Sequence, residues 1–412
     1  MAPIKKFRRP DKIILSLSLL LLGGCSILIP KEPLLPPEPW AVVEREFPEP
    51  LRDDGDRSSL EASIEKSLTA LDLDRSRSSR QIPMASQSLA SFFPSEKIVH
   101  SLILFQELLK STSDPKELDR QIRTHFSLWQ IQKKENPRPI LLTGYFEPIL
   151  EGSLEPGGAY RYPLYRRPDD LVELPPDENT PEGRRGERRI VRLQNGRPVP
   201  YYSRDEIDRQ GALEGKGYEL LWLKDPWDRY LLHIQGSGQI LLPDGRILRV
   251  GFAASNGRPY RSIGRVLVER GFLSEEEQSA WRIQKFALEF PRLMEEIFSL
   301  NERYIFFRFL ETPEGPIGAL GIPLTPGRSV AADLSIFPRG AIAYLVAWMP
   351  VVDPVGKKMG RIKTARFVLI QDTGAAMRGP ARIDLFIGSG SEAGQLAGWI
   401  KEEGEIYILL PR

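Results

Sequence analysis

The spacing of apolar residues changes at Pro139, and that change constrains the fold of this chain more than any other feature. Upstream, apolar residues recur every three or four positions: Leu60, Ile64, Leu68 and Leu71 after Ser59, and Ile98, Val99, Leu102, Phe105 and Leu109 after Ser95. A third run, Leu118, Ile122, Phe126 and Trp129, follows the Asp114-Pro115 opening. This is the period of amphipathic helices with caps at their starts, so residues 58 to 135 are expected to be helical with their aromatic stripes turned to a core. Downstream the period shortens. Residues 140 to 148 read as a strand, 152 to 200 as loops with short strands, and 218 to 223, 230 to 235 and 240 to 250 as strands, the last folded about Asp244-Gly245. Two helices interrupt them, one over 262 to 271 and one opened by Ser274 with Glu277 as a capping box. From Tyr304 onward, short strands split by Gly and Pro predict an all-β barrel. The expected class is mainly β with N-terminal helices (α+β), and no internal repeat is visible.

The ends of the chain carry different information. Lys5, Lys6, Arg8 and Arg9 precede an apolar run over 13 to 22 and then Leu22-Gly23-Gly24-Cys25. That run is too short to cross a bilayer comfortably and has the flanks of a secretory signal. The small residues before Cys25 resemble a bacterial lipoprotein processing site, at which the cysteine is acylated and becomes the anchor; several acyl chains hold stably where one does not. Pro30, Pro33, Pro36, Pro37, Pro39, Pro48 and Pro50 then suggest an extended spacer, about 80 Å over residues 26 to 50 at roughly 3.1 Å per residue. The 412 residues allow two or three domains. With 57 Lys+Arg against 55 Asp+Glu there is no basic footprint for nucleic acid. One cysteine excludes a disulfide within the chain, and with only three histidines the ligands of a Cys/His zinc site are lacking. No cofactor or metal is expected.

Three clusters carry chemistry. The C-terminal one runs Val368-Leu369-Ile370-Gln371-Asp372-Thr373-Gly374, then Gly379, then Ile383-Asp384-Leu385-Phe386-Ile387-Gly388-Ser389-Gly390. Each acid sits on an apolar strand bordered by glycines, where a polar group is held rigidly and a ligand can come close. Alternation puts Arg382, Asp384 and Phe386 on one face, and an acid beside a ring is a common way to build a sugar site. The alternative stays open that Asp372 caps a turn and Asp384 pairs with Arg382 or Arg378. Asp372-Thr373-Gly374 also looks like the turn of aspartic peptidases, yet those need two such aspartates and this chain has one. The second cluster is Gln235-Gly236-Ser237-Gly238, whose amide and hydroxyl suit sugar hydroxyls, against a plain glycine bulge. The third, from Ala253 to Gly264, contains Asn256-Gly257 and Tyr260, and structural use explains most of it.

Taken in order, Gly144-Tyr145-Phe146-Glu147-Pro148, Gln235-Gly236-Ser237-Gly238, the stretch with Asn256-Gly257 and Tyr260-Arg261-Ser262-Ile263-Gly264, Tyr304-Ile305-Phe306-Phe307, and the segment from Asp372 to Gly390 resemble the membrane-bound lytic murein transglycosylase A family over roughly residues 85 to 405. The resemblance implies a double-psi β-barrel carrying three aspartates, here Asp333, Asp372 and Asp384. It also implies an organisation: a signal over 1 to 25, a flexible linker over 26 to 57, the barrel with N-terminal helices over 58 to 148 plus 312 to 412, and a smaller inserted β-domain over 149 to 311. A glycan groove would lie between barrel and insert. Asp384 is the implied catalytic residue with Asp372 supporting it, and Thr143, Gly144, Tyr145, Gln235, Gly236, Ser237, Gly238, Asn256, Tyr260, Asp333 and Phe386 are the implied glycan-binding set. Glu147 is no candidate, because the family pattern varies there.

The implied reaction is exolytic, non-hydrolytic cleavage of the β-1,4 bond between N-acetylmuramic acid and N-acetylglucosamine, leaving a 1,6-anhydromuramoyl end. Asp384 would protonate the leaving oxygen and its carboxylate would then take the C6 hydroxyl proton. An ordinary aspartate titrates near 3.9, so the site must raise Asp384, and Phe386 with the like charge of Asp372 is expected to do so. The implied setting is the outer membrane, facing the periplasm, as a lipid-anchored monomer whose partners are peptidoglycan strands, with recruitment to a wall-synthesis or division complex left open. An inverting hydrolase on the same barrel and a non-catalytic peptidoglycan-binding lipoprotein remain alternatives.

Overall fold

The computed structural model describes residues 40–48, 50–77, 92–134, 138–175, 188–275, 280–311, 315–354 and 356–412. The signal, Cys25, the first part of the spacer and Glu277 of the expected capping box lie outside these residues. In chain order the elements are β1 (Trp40–Arg45), α1 (Arg57–Arg77), α2 (Ser95–Ser111), α3 (Pro115–His125), β2 (Phe126–Lys133), β3 (Ile140–Glu147), β4 (Ile149–Ser153), β5 (Tyr162–Tyr165), β6 (Val172–Leu174), β7 (Arg189–Gln194) and β8 (Arg197–Pro200). They continue with α4 (Arg204–Asp208), β9 (Glu219–Leu223), α5 (Pro226–Gln235), β10 (Ser237–Leu241), β11 (Ile247–Ser255), α6 (Ile263–Glu269), α7 (Ala280–Glu289), α8 (Pro291–Ser299) and β12 (Ile305–Leu310). The last are β13 (Ser329–Ala331), β14 (Ile342–Val352), β15 (Lys358–Asp372), β16 (Arg382–Ser389), α9 (Gly390–Trp399) and β17 (Lys401–Pro411).

Six strands close on themselves in the order β17-β14-β15-β13-β16-β3, with β3 pairing back onto β17. The pairs β13–β15 and β16–β3 are parallel and the others antiparallel, so a mixed closed barrel forms, as expected of the class. Closure leaves this ring no free edge of its own. Its wall is filled by Val330, Ile342, Val368, Leu369, Ile383, Leu385 and Ile408, all buried. The helices α1 and α2 pack over it: Phe105 meets Phe367 edge-on at 4.8 Å, and Ser101 donates to the carbonyl of Leu409. Between β3 and β13 the chain builds a six-stranded sheet, β12-β11-β10-β4-β9-β5, and a three-stranded one, β6-β7-β8.

Three expectations are corrected. Phe126 and Trp129 do not continue α3: the helix ends at His125 and they begin β2, which pairs with β1 and β17. Residues 230 to 235 are the end of α5, not a strand, because Asp225 caps the helix through Trp227 N–H, Pro226 opens it, and Gly236 at φ 79° closes it. The spacer is shorter than its prolines suggested. Its residues 40–45 form β1 on β2, and Leu51 is buried against the barrel while Asp53 pairs with Arg328. The Asp244-Gly245 turn does join β10 to β11, with Gly245 at φ 85°.

Candidate active site

Asp384 and Asp372 stand on either side of one short strand. In register, Ala331 of β13 pairs with Asp384 on one flank and with Asp372 on the other. Paired residues share a face, and two strand spacings of about 4.8 Å put the two backbones roughly 10 Å apart. On the far flank of β16, parallel register aligns Asp384 with Thr143, Leu385 with Gly144 and Phe386 with Tyr145. The barrel therefore gathers residues that are more than 200 positions apart in sequence onto one rim.

The two carboxyl groups live in different surroundings. Asp372 accepts from the Tyr145 hydroxyl at 2.8 Å and from Ala319 N–H at 2.9 Å. Burial nevertheless outweighs these bonds and pushes it up to about 6, with the neighbouring charge of Asp384 adding to the rise. Asp384 is also raised by burial, and Arg382, whose Nη2 lies 3.4 and 3.5 Å from its two oxygens, pulls it part of the way back. The same Nη2 reaches Thr143 Oγ1 at 3.3 Å. Tyr260, 36% exposed on the loop between β11 and α6, lies near enough to feel the charges of both Arg382 and Asp384. A carboxyl that keeps a proton to higher pH, with a cation beside it and a tyrosine near it, can donate a proton and then hold the resulting charge.

Other expected members play different parts. Tyr145 is a positioning residue: its hydroxyl is committed to Asp372 and its ring lies 5.3 Å from that of Phe386. Phe386, 1% exposed, is buried beside Tyr145, with no open face for a sugar, and the rise of Asp384 comes from burial at large. Asp333 is tied to Ser335 N–H and hydroxyl and to Gly379 N–H, fixing the loop between β15 and β16. Asn256, 1% exposed, spends both amide hydrogens on the carbonyls of Tyr202 and Glu302 while its oxygen accepts from Arg258 and Tyr304 N–H. It is a staple within the insert and has nothing left for a ligand.

The glycines serve the backbone. A Cβ on Gly144 would fall 2.8 Å from Ile400 Cδ1 and 2.9 Å from Ala397 Cα, and one on Gly238 would fall against Leu232. Gly236 supplies the left-handed helix end, Ser237 starts β10 opposite Gly251, and Gln235 accepts from Phe146 N–H through its side-chain oxygen. Gly144→Ala is thus expected to lose about 1–3 kcal/mol in urea unfolding, since α9 must move off β3 to admit a methyl group. Glu147, set aside on sequence, proves to be the joint. Fully buried, it accepts from Gln239, Arg249 and Ser389 at 2.7–2.9 Å, linking β3 to β10, β11 and the start of α9. An acid amid a run of apolar strand residues was the signal for that role.

A second expectation concerns pH. The folded pKa of Asp372 is raised above the ordinary 3.8, so the fold carries no cost from it below about pH 4 and the full cost above about pH 6. Asp372→Asn is expected to stabilise the protein by about 1–3 kcal/mol at pH 8 and to leave it unchanged at pH 3. Urea unfolding at the two values checks it; equal stability at pH 8 would mean that the bonds from Tyr145 and Ala319 fully compensate the buried charge.

Comparison with known proteins places this geometry. Residues 141–308 match the model described as the MltA specific insert domain, and residues 328–410 match that of the 3D domain. The chain is 31% identical over 309 residues to membrane-bound lytic murein transglycosylase A of Escherichia coli K12, covering 74% of each chain, and 32% identical over 273 residues to that of Vibrio cholerae, covering 66% and 65%. Among solved structures it is similar to a membrane-bound lytic murein transglycosylase from Agrobacterium tumefaciens, with TM-score 0.72, 30% identity, and 90% and 98% of the two chains covered. It is also similar to Escherichia coli MltA with bound chitohexaose, with TM-score 0.64, 25% identity, and 91% and 95% covered.

Proposed function

This chain belongs to the membrane-bound lytic murein transglycosylase A family, and we propose from that premise that it is a lytic transglycosylase, cutting the β-1,4 bond between N-acetylmuramic acid and N-acetylglucosamine in peptidoglycan without water, with Asp384 as the group that moves the proton. The observation that carries the assignment is the setting of Asp384: a carboxyl raised by burial, with Arg382 3.4–3.5 Å away. Burial keeps the proton available for the leaving glycosidic oxygen. Once that proton is given, the Arg382 guanidinium steadies the carboxylate while it accepts the proton of the C6 hydroxyl, which attacks the anomeric carbon and closes the 1,6-anhydro ring. One carboxyl thus serves as acid and then as base. The proton returns to where it began, and no water is consumed.

The inverting-hydrolase alternative needs a second carboxylate free to activate water. Asp372 is a poor candidate, because both its oxygens already accept from Tyr145 and Ala319. Its part in the proposal is indirect: it holds the Tyr145 hydroxyl, whose ring packs against Phe386 on the strand that carries Asp384. Thr143, which shares Arg382 Nη2 with Asp384, and Tyr260, which feels the charges of both, are the proposed glycan contacts. Mass spectrometry of the products from murein sacculi tests the reading: ends lighter by one water support it, whereas reducing ends would overturn it in favour of hydrolysis.

The name shared by the relatives supports attachment to a membrane. Among the described residues no helix is long and apolar enough to cross one. The lipoprotein-like run ending at Cys25 supports a lipid anchor there, with Ser26 fitting delivery to an outer membrane, exo-mode action and a monomeric state as further parts of the proposal. Metabolic labelling with a fatty acid, absent in Cys25→Ser, is the check on the anchor.

A further inference from the structure

We propose that a second cleft, behind α5, binds the charged end of the peptide carried by the glycan, an inference that rests on the peptidoglycan reading above. The cleft encloses about 620 Å³ in the inserted part of the chain. At its floor Asp208 is shared by two guanidinium groups, Arg204 Nη1 at 3.5 Å and Arg229 Nη1 at 3.0 Å. Arg204 is otherwise spent on the carbonyls of Asn301 and Arg303. Arg229 stands over the ring of Tyr162 at 5.4 Å and lines the open space. One carboxylate against two cations leaves a positive charge in excess where little water reaches, a setting that favours a carboxylate from outside.

The rim has the opposite character. Glu214, Glu219 and Glu295 line it, and Trp222 and Tyr230 supply aromatic walls. Arg161 and Arg209 complete the lining, the latter paired with Asp205, so four arginines meet four acids and the cleft as a whole is neutral. A neutral cleft dense with both signs suits a zwitterion, a group bearing a free carboxylate and a free ammonium on a short aliphatic chain. Peptidoglycan stems end in such groups. Reach agrees with this. From the cleft, α5 runs to Gln235, which holds Phe146 at the barrel rim. Its ten residues span about 15 Å at 1.5 Å each, a distance that four or five extended residues cover at roughly 3.4 Å apiece.

The test uses the full-length protein in detergent and the free tripeptide L-alanyl-γ-D-glutamyl-meso-diaminopimelate, followed by calorimetry. Saturable binding is expected, about tenfold or more weaker in Arg229→Gln, several-fold weaker in Glu214→Gln, and lost when the probe is N-acetylated and its carboxylates are amidated. Glu214 is exposed on the rim, so that variant keeps the test valid even where Arg229→Gln melts early. Asp384→Asn is expected to bind the peptide like the wild type while cutting no glycan, which separates this inference from the catalytic one. No saturation by a wild type that does release anhydro products, or unchanged affinity in both cleft variants, would overturn it.

Discussion

Asp384→Asn is expected to lower the rate of glycan cleavage by about 10³-fold or more while leaving the fold and glycan binding intact. The magnitude follows from the two steps assigned to one group: positioned acid–base catalysis contributes on the order of 10²–10⁴ in rate, and the amide can neither give nor take the proton. The fold should not suffer. The carboxyl is raised by burial, so its ionised form is a cost to the native state, and the neutral amide removes that cost while keeping the shape. Retained affinity for chitin oligosaccharides together with lost turnover of sacculi is the result that supports the assignment; turnover within a few-fold of wild type would remove Asp384 from the chemistry.

Arg328→Met is expected to be the most damaging single change to stability, costing about 3–5 kcal/mol. Arg328 is 1% exposed beneath the helical layer. Its Nη1 holds both oxygens of Asp53 at 2.7 and 3.0 Å and the carbonyl of Phe367, while Nη2 and Nε hold the carbonyl of Asp56 and the hydroxyl of Ser59. Burial raises Asp53 even so, its cost exceeding the attraction of the cation. Such a pair contributes little against a well-packed apolar alternative, yet removing one half strands the other. The double change Arg328→Met with Asp53→Leu should therefore recover part of the loss in urea unfolding, and no recovery would place the cost in the lost backbone bonds instead.

Much of the architecture was legible because it rests on local signals. The helical stripes of α1 and α2, the cap at Asp114 and the turn at Asp244-Gly245 need only near neighbours. Errors arose where one pattern fits two periods. Phe126 and Trp129 satisfy helical spacing from Leu118, while alternation within 126–133 satisfies a strand, and only pairing with β1 and β17 decides. Residues 230 to 235 are rich in apolar types, yet Asp225-Pro226 and Gly236 already bracketed a helix. In the site, the acids could be found because glycines and apolar runs frame them. The roles of Gly144, Gly238 and Asn256 could not, since each answers in whole or in part to atoms distant in sequence: Ala397 and Ile400, Pro148, and the carbonyls of Tyr202 and Glu302. Arg382 lies two residues from Asp384 on one face of a strand, and the pairing weighed on sequence as a purely structural alternative is the cation beside the carboxyl.

The Glu147 joint has a mechanical consequence. Only Pro148 separates β3 of the barrel from β4 of the insert, and Gln239 N–H is bonded to its carbonyl while Arg249, Gln239 and Ser389 converge on the preceding carboxylate. A glycan knitted into a stretched wall pulls on whatever grips it. At this joint a pull between β3 and β4 is shared among several short bonds loaded side by side. The passage from β3 to β4 is thereby braced on both sides of Pro148, by three side chains on one carboxylate and by a backbone bond to the proline carbonyl.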